Sequence, residues 1–277
     1  MSSHLSLRTV WRTALAAGPL VILAACGDDI TNNNFGPPTF TPDPIVTQAG
    51  LQAALTTAVS STNGGLDFPM WATVVDRAGV VVAVAFSGPT VDDQWLGSRA
   101  ISAQKANTAN DFSLDAFALS TANLFSAVQP GGSLFGLQES NPVNTDVVYG
   151  GDHSQYGTVD DYMVGKKPGG VNVFGGGLAL YDATSGQVIG AVGLSGDTSC
   201  ADHNIAWRVR DALNMDKVSA GVAGAVGTNP PGKDNIIFDI DPATSQSASG
   251  FGHPTCLGGA ADSTLGTNLP TAYPLTP

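Results

Sequence analysis

The stretch MWATVVDRAGVVVAVAF, Met70 to Phe86, decides the fold. Two apolar, β-branched runs, Met70 to Asp76 and Val80 to Phe86, are separated by Asp76-Arg77-Ala78-Gly79, so the segment reads as a β-hairpin. A second unit of the same kind follows later, with Leu178 to Asp182 and Gln187 to Ser195 joined across Ala183-Thr184-Ser185-Gly186. Helical periodicity surrounds both. Thr47 to Thr62 spaces Leu51, Ala54, Leu55, Ala58 and Val59 as one helical face, with Thr47 as its cap and Gly64-Gly65 as its stop. Ser98 to Phe112 keeps Ile101, Lys105, Thr108, Ala109 and Phe112 near one stripe. Leu114 to Val128 predicts a further helix ended by Pro130-Gly131-Gly132, and Ala201 to Leu213 places Ile205, Val209 and Leu213 four apart. Paired strands interrupted by helices describe an α/β domain of the α+β kind, an antiparallel sheet with flanking helices, and not a doubly wound parallel sheet.

The 277 residues include 34 Gly and 17 Pro, and 43% are hydrophobic, enough to fill a core. Basic residues number 11 against 23 acidic, and no basic cluster exceeds Lys166-Lys167, which excludes a nucleic-acid binder that works through a concentrated basic field. Small, neutral or cationic partners stay open.

The N-terminus reads as an address. Residues 1–25 carry His4, Arg8 and Arg12 before an apolar stretch from Ala14 to Ala25, too short for a permanent span, and so predict a secretory signal. Leu23-Ala24-Ala25-Cys26-Gly27 resembles a bacterial lipobox, which implies lipidation of Cys26 and a mature formal charge of −14 instead of −12. Residues 26–46, rich in Asn, Pro, Thr and Asp, read as a flexible tether. The chain is thus expected outside the cytoplasm, held by lipid alone to a bacterial membrane, on the periplasmic side or at the cell surface. The folded body is expected over 47–219, with a glycine-rich insertion at 133–174 that is long for a connecting loop. A Gly- and Pro-rich extension follows over 220–277, with one strand candidate from Asn235 to Ile240.

Four short motifs, taken in order, point to a family. Val74-Val75-Asp76-Arg77-Ala78-Gly79, Ala103-Gln104-Lys105-Ala106-Asn107-Thr108-Ala109 with Phe112, Phe174-Gly175-Gly176-Gly177, and Gly190-Ala191-Val192-Gly193-Leu194-Ser195-Gly196 resemble the haem-degrading, GlcG-like (HbpS-like) family. The resemblance implies a profilin-like or PAS-like layout, assembly into homo-oligomers, and non-covalent binding of haem, with degradation or iron sequestration among its relatives' activities. The lipobox, the insertion and the extension depart from the family pattern. Some of these motif residues have a plain structural reading as well: Ala103, Ala106 and Ala109 let a helix lie close to a sheet, and the glycines of the last motif permit close backbone approach.

Three histidines remain beyond the signal, namely His153, His203 and His253, and the first two each follow an aspartate. Imidazole ligates haem iron or a divalent metal, and a carboxylate on its second nitrogen raises its basicity. His153, on the glycine-rich insertion, and His203 are therefore the candidate axial ligands, with Lys105 and Thr108 as polar residues that could face a pocket or solvent. His253 reads as structural or exposed. Asp202 is expected in the first turn of its helix, where negative charge is favoured. The absence of CxxCH excludes covalent haem, and the absence of HExxH and CxxC weakens zinc-protease and redox readings. Gly193-Leu194-Ser195-Gly196 departs from a nucleophile elbow, and Gly175 to Gly177 opens no helix, against a dinucleotide site. Cys200 and Cys256 form an even pair in an oxidising compartment, which favours a disulfide; the alternative is a thiolate at Cys200 near a helix N-terminus. No residue declares itself an acid or base, so enzymatic turnover stays open. Two other readings stand beside haem binding: an oligomeric assembly or sensor accessory protein without catalysis, and a small-molecule enzyme with a metal site of Asp152, His153, Asp202 and His203.

Overall fold

The computed structural model describes residues 45–225, 232–257 and 259–277. The expected signal, Cys26 and residues 26–44 of the expected tether lie outside them. Helix α1 (Gln48–Val59) is followed by the hairpin β1 (Trp71–Asp76) and β2 (Val81–Phe86), then by α2 (Leu96–Asp111), a second hairpin of β3 (Gly177–Tyr181) and β4 (Val188–Ser195), and α3 (Ser199–Ala212). The four strands form one sheet in the order β2-β1-β4-β3, antiparallel at every pairing. This is the mixed α+β arrangement with flanking helices that the alternation of hairpins and helices predicts. No helix among the described residues is long and apolar enough to cross a membrane.

Each boundary has a local cause. Thr47 Oγ1 accepts the Gly50 N–H at 3.1 Å and starts α1, while Leu51, Ala54, Leu55 and Ala58 turn inward. The first hairpin turns at Gly79, whose φ of +77° suits glycine, and Val80 N–H donates to Asp76 Oδ1 at 2.9 Å. Ile45 and Val46, at the end of the expected tether, pack against the core.

The sheet separates two apolar layers. On one face Ala72, Val74, Leu178, Leu180, Val192 and Leu194 pack with α1 and with Ile205 and Val209 of α3. On the other, α2 crosses β1, β4 and β3, and its Ala103, Ala106 and Ala109 meet Val75 and Ala191. The contact is close because Gly193 carries no side chain: a Cβ there would run into the Ser102 carbonyl oxygen and the Ala106 amide.

Residues 133–174 complete that second layer. Val147, Val148, Tyr156 and Met163 are buried against α2 and β2, and the segment joins the edge of the sheet through Val81 N–H to Lys166 O and Gly165 N–H to Val81 O, both 2.9 Å. Arg99 of α2 holds it with a buried pair to both oxygens of Asp161, while its guanidinium lies 3.6 Å from the centre of the Tyr156 ring.

Two expectations are corrected. Leu114 to Val128 is not a helix but a bridge between Leu114 and Phe117 followed by 3₁₀ turns at Thr121–Leu124 and Ser126–Val128. Its polar side chains compete with helical hydrogen bonding: Asn123 Oδ1 accepts from the Ser120 N–H and hydroxyl within the turn, and Thr121 Oγ1 joins Phe174 O and Gly177 N–H across the fold. Asn235 to Ile240 is not a strand: only Ile240 enters a ladder, β5 (Ile240–Asp241) with β6 (Gln246–Ser247). Asn235 and Ile236 pair instead with His203 of α3, and Ile237 O accepts the His253 N–H.

The described residues of the extension are structured. They contain α4 (Ala260–Ala272), which packs on α3, and three further ties hold the segment to the same helix. These are the disulfide Cys200–Cys256, the buried bidentate pair of Arg210 with Asp234 at 2.6 and 2.9 Å, and Asn235 on His203. A cross-link spanning 56 positions contributes about 3 to 4 kcal/mol by restricting the unfolded chain.

Candidate functional site

Three of the four motifs meet at one buried ammonium. Lys105, on the sheet-facing side of α2, donates from Nζ to Asp202 Oδ2 at 2.6 Å and to the Leu194 carbonyl at 3.0 Å. Leu194 is the penultimate residue of β4, and Asp202 lies in the first turn of α3, where its Oδ1 accepts the Asp197 N–H at 2.9 Å. The glycine run closes the remaining side: a Cβ on Gly176, whose φ is +117°, would stand 3.1 Å from Lys105 Nζ, and one on Gly175 would press into the Ser199 carbonyl and His203 Cβ. Burial opposes charge on both partners, lowering the Lys105 pKa and raising that of Asp202 to about 6, while their mutual attraction works the other way. The pair is sealed from solvent and holds α2, β4 and α3 together.

His203 sits beside it, fully buried. Its Nε2 lies 3.1 Å from Asn235 Oδ1 and 3.2 Å from the Ile236 amide nitrogen, while Nδ1 has no partner. Loss of hydration holds its pKa down at about 3, so the imidazole is neutral. His253, expected as structural or exposed, is buried too, with Nδ1 2.7 Å from Pro254 O and its ring 5.1 Å from that of Phe125; burial depresses its pKa to about 4. Both imidazoles are covered by residues of the extension.

His153 is the opposite case. It opens a 3₁₀ turn on the insertion, capped by Asp152 Oδ1 on the Ser154 N–H, and its side chain is 73% exposed. Asp152 Oδ1 stands 3.9 Å from His153 Nδ1, beyond hydrogen-bond length, and the Ser154 amide keeps that carboxyl below its usual pKa. Tyr149 and Tyr162 are exposed on the same segment, with Lys166 Nζ 3.7 Å from the centre of the Tyr162 ring. A side chain on Gly150 or Gly151 would strike Tyr162, so this tyrosine lies against the backbone just before His153.

The remaining predicted site residues do not converge. Thr108 is buried and committed, donating to Gln104 O at 2.8 Å and accepting the Asn172 N–H at 2.9 Å. Asp152 and His153 are exposed on the insertion, whereas Asp202 is spent on Lys105 and His203 on Asn235, so the four do not form a metal site. The one trio of metal-type donors brought together among the described residues is Cys200, Cys256 and Asp262, and the disulfide takes two of these and removes Cys200 as a thiolate ligand. The Asn235 and Asp234 partners were not visible as such in the sequence, because no local pattern marks a pairing 24 to 32 positions apart.

Residues 46–210 match a family model described as haem degrading protein HbpS-like. The chain is similar to an uncharacterised 15.0 kDa protein from the dhaT–dhaS intergenic region of Citrobacter freundii, 30% identical over 149 residues, which are 54% of this chain and 79% of the relative. It is also similar to two solved structures. One is the Klebsiella pneumoniae protein ORFY of family model DUF336, at 27% identity, covering 61% of this chain and 90% of the other, with a TM-score of 0.41. The other is a PduOC–haem complex, at 25% identity, covering 60% and 91%, with a TM-score of 0.42.

Two outcomes follow from the buried groups. Lys105→Met and Asp202→Asn each strand one partner without its countercharge and should cost about 3 to 5 kcal/mol in urea unfolding, whereas the double variant should cost clearly less than the sum; additive costs would show that the two do not act as a pair. The second concerns pH. Because His203 and His253 titrate in the folded protein at about 3 and about 4, against 6.5 without the fold, the unfolded chain binds more protons below pH 6.5. Their stability is complete above that pH and is lost as pH falls towards 4. Asp202 has the opposite sign, since the folded protein takes up its proton first between about 6 and 3.8. The His253→Gln variant should therefore lose up to about 1.4 kcal/mol per pH unit of the acid-side slope between pH 6.5 and 4.5. A slope identical to wild type would refute the assignment.

Proposed function

This chain belongs to the HbpS-like family of haem-degrading proteins, matched over residues 46–210, and on that premise we propose that it is an extracytoplasmic lipoprotein, homo-oligomeric, that binds haem or a related tetrapyrrole non-covalently through His153. The family match carries the ligand class. The donor set on the insertion fits it: an exposed imidazole, aromatic faces at Tyr149 and Tyr162, and an ammonium at Lys166 for the carboxylates of the ring. The buried centre does not fit, since Lys105, Asp202 and His203 Nε2 are already partnered and covered. His153 would ligate the iron, Tyr162 would lie against the macrocycle, and Lys166 would position it. When bound, haem supplies a redox-active iron.

Hemin titration of the full chain, with absorbance spectra and bound iron recorded together, tests the reading. A saturable one-to-one Soret shift is expected for wild type and for His203→Ala, and its loss or marked displacement for His153→Ala. No saturable binding would favour an assembly protein without haem chemistry, which light scattering would reveal as a large oligomer indifferent to hemin. The anchor is tested separately. Cys26→Ser should move the protein from the membrane fraction to the soluble one, and an unchanged distribution would reject lipidation at Cys26.

A further inference from the structure

The surface carries one further feature that the haem reading does not use. Phe68, just before β1, and Trp95, just before α2, stand edge to face with ring centroids 5.4 Å apart and planes at 86°. Both are open to solvent, 39% and 57% exposed. Together with Asp92, Asp93 and Gln94 they line a depression of about 230 Å³, smaller than the pockets that hold drug-sized ligands. We propose that this depression is a binding site for small organic cations of the quaternary or methylated ammonium class.

The two ring-bearing segments are held by the same turn. Leu66 and Phe68 donate their backbone N–H groups to the Asp197 carboxylate. Gln94, itself buried, donates from Nε2 to the Pro69 carbonyl and to the Gly196 carbonyl, and its Oε1 accepts the Trp95 N–H at 2.6 Å. Gly196 and Asp197 are consecutive, so both aromatic walls hang from one fixed point between β4 and α3. A site whose walls are fixed before the ligand arrives loses little freedom on binding.

The chemistry selects a cation. Aromatic faces present negative charge to an incoming group, and two rings near a right angle with an acidic rim are the arrangement that recognises alkylated ammonium ions. Asp93 uses Oδ2 on the N–H and hydroxyl of Thr90. Asp92 makes no hydrogen bond or ion pair in the described structure, and no basic residue lines the depression. An anion would meet two carboxylates here, and a neutral apolar group would gain nothing from them. A net charge of −12 on the whole chain adds to the attraction.

The test uses the full chain with choline chloride and its neutral isostere 3,3-dimethyl-1-butanol at matched ionic strength, followed by tryptophan fluorescence and calorimetry. Trp71 and Trp207 are buried, so among the described tryptophans Trp95 is the one that reports the surface. Choline should bind saturably with a fluorescence change, and the isostere at least tenfold more weakly. Trp95→Ala should abolish the signal and the calorimetric heat, Trp95→Phe should retain part of the binding, and Asp92→Asn should weaken it several-fold, all three with an unchanged far-ultraviolet spectrum. Equal binding of the isostere would make the patch merely apolar and overturn the proposal, as would unsaturable heats or undiminished binding by Trp95→Ala. A change of oligomer mass in Trp95→Ala without choline binding to wild type would identify a subunit contact and overturn it as well.

Discussion

The contact between Lys105 and Asp202 joins elements that the sheet would otherwise keep apart. Lys105 belongs to the helix on one face, Asp202 to the first turn of the helix on the other, and the two meet at the end of β4 under the glycine run. An ammonium without water needs acceptors for its protons and a countercharge, and here the Leu194 carbonyl and Asp202 supply them. Those acceptors reach it because Gly175, Gly176 and Gly193 leave space where any side chain would collide with backbone. Three of the four motifs that mark the family are thus parts of one packed junction. Their chemistry is structural first.

The insertion and the extension repeat that device on the outside of the core. Each is tied by an arginine to a buried aspartate, Arg99 to Asp161 on one side and Arg210 to Asp234 on the other. Paired charges of this kind confer modest net stability because desolvation opposes their attraction, yet either partner alone would be costly, so they select one docking arrangement. The two docked segments then determine which histidines meet solvent. The extension buries His203 and His253, whereas the insertion carries His153 outward on a capped turn. Accessibility, and not the identity of the side chain, separates the candidate ligand from the structural imidazoles.

Both hairpins and the helices around Leu55, Lys105 and Val209 have periods of two or of three to four residues, and such patterns survive because one face of each element is buried. Leu114 to Val128 is not a helix because Asn123 and Thr121 spend their side chains on backbone groups, Asn123 on the Ser120 N–H and Thr121 across the fold at Phe174 and Gly177. Helix α4 leaves no clear signal in the sequence because its Thr, Gly and Pro content is poor for a helix, and its order comes from docking on α3. In the candidate site, Lys105 and Asp202 are each legible on their own helices, but not as partners, since 97 positions separate them.

The sequence by itself determined the two antiparallel hairpins, the helices α1, α2 and α3 around them, and the family, because these depend on spacings within a few residues and on short motifs. Only the tertiary structure decided that Lys105 pairs with Asp202, that Thr108 is consumed by the Asn172 amide, that the extension covers His203, and that Phe68 and Trp95 meet at a right angle. Each of these depends on which distant segments lose water together, and burial of that kind is a property of the assembled layers, not of any stretch of chain.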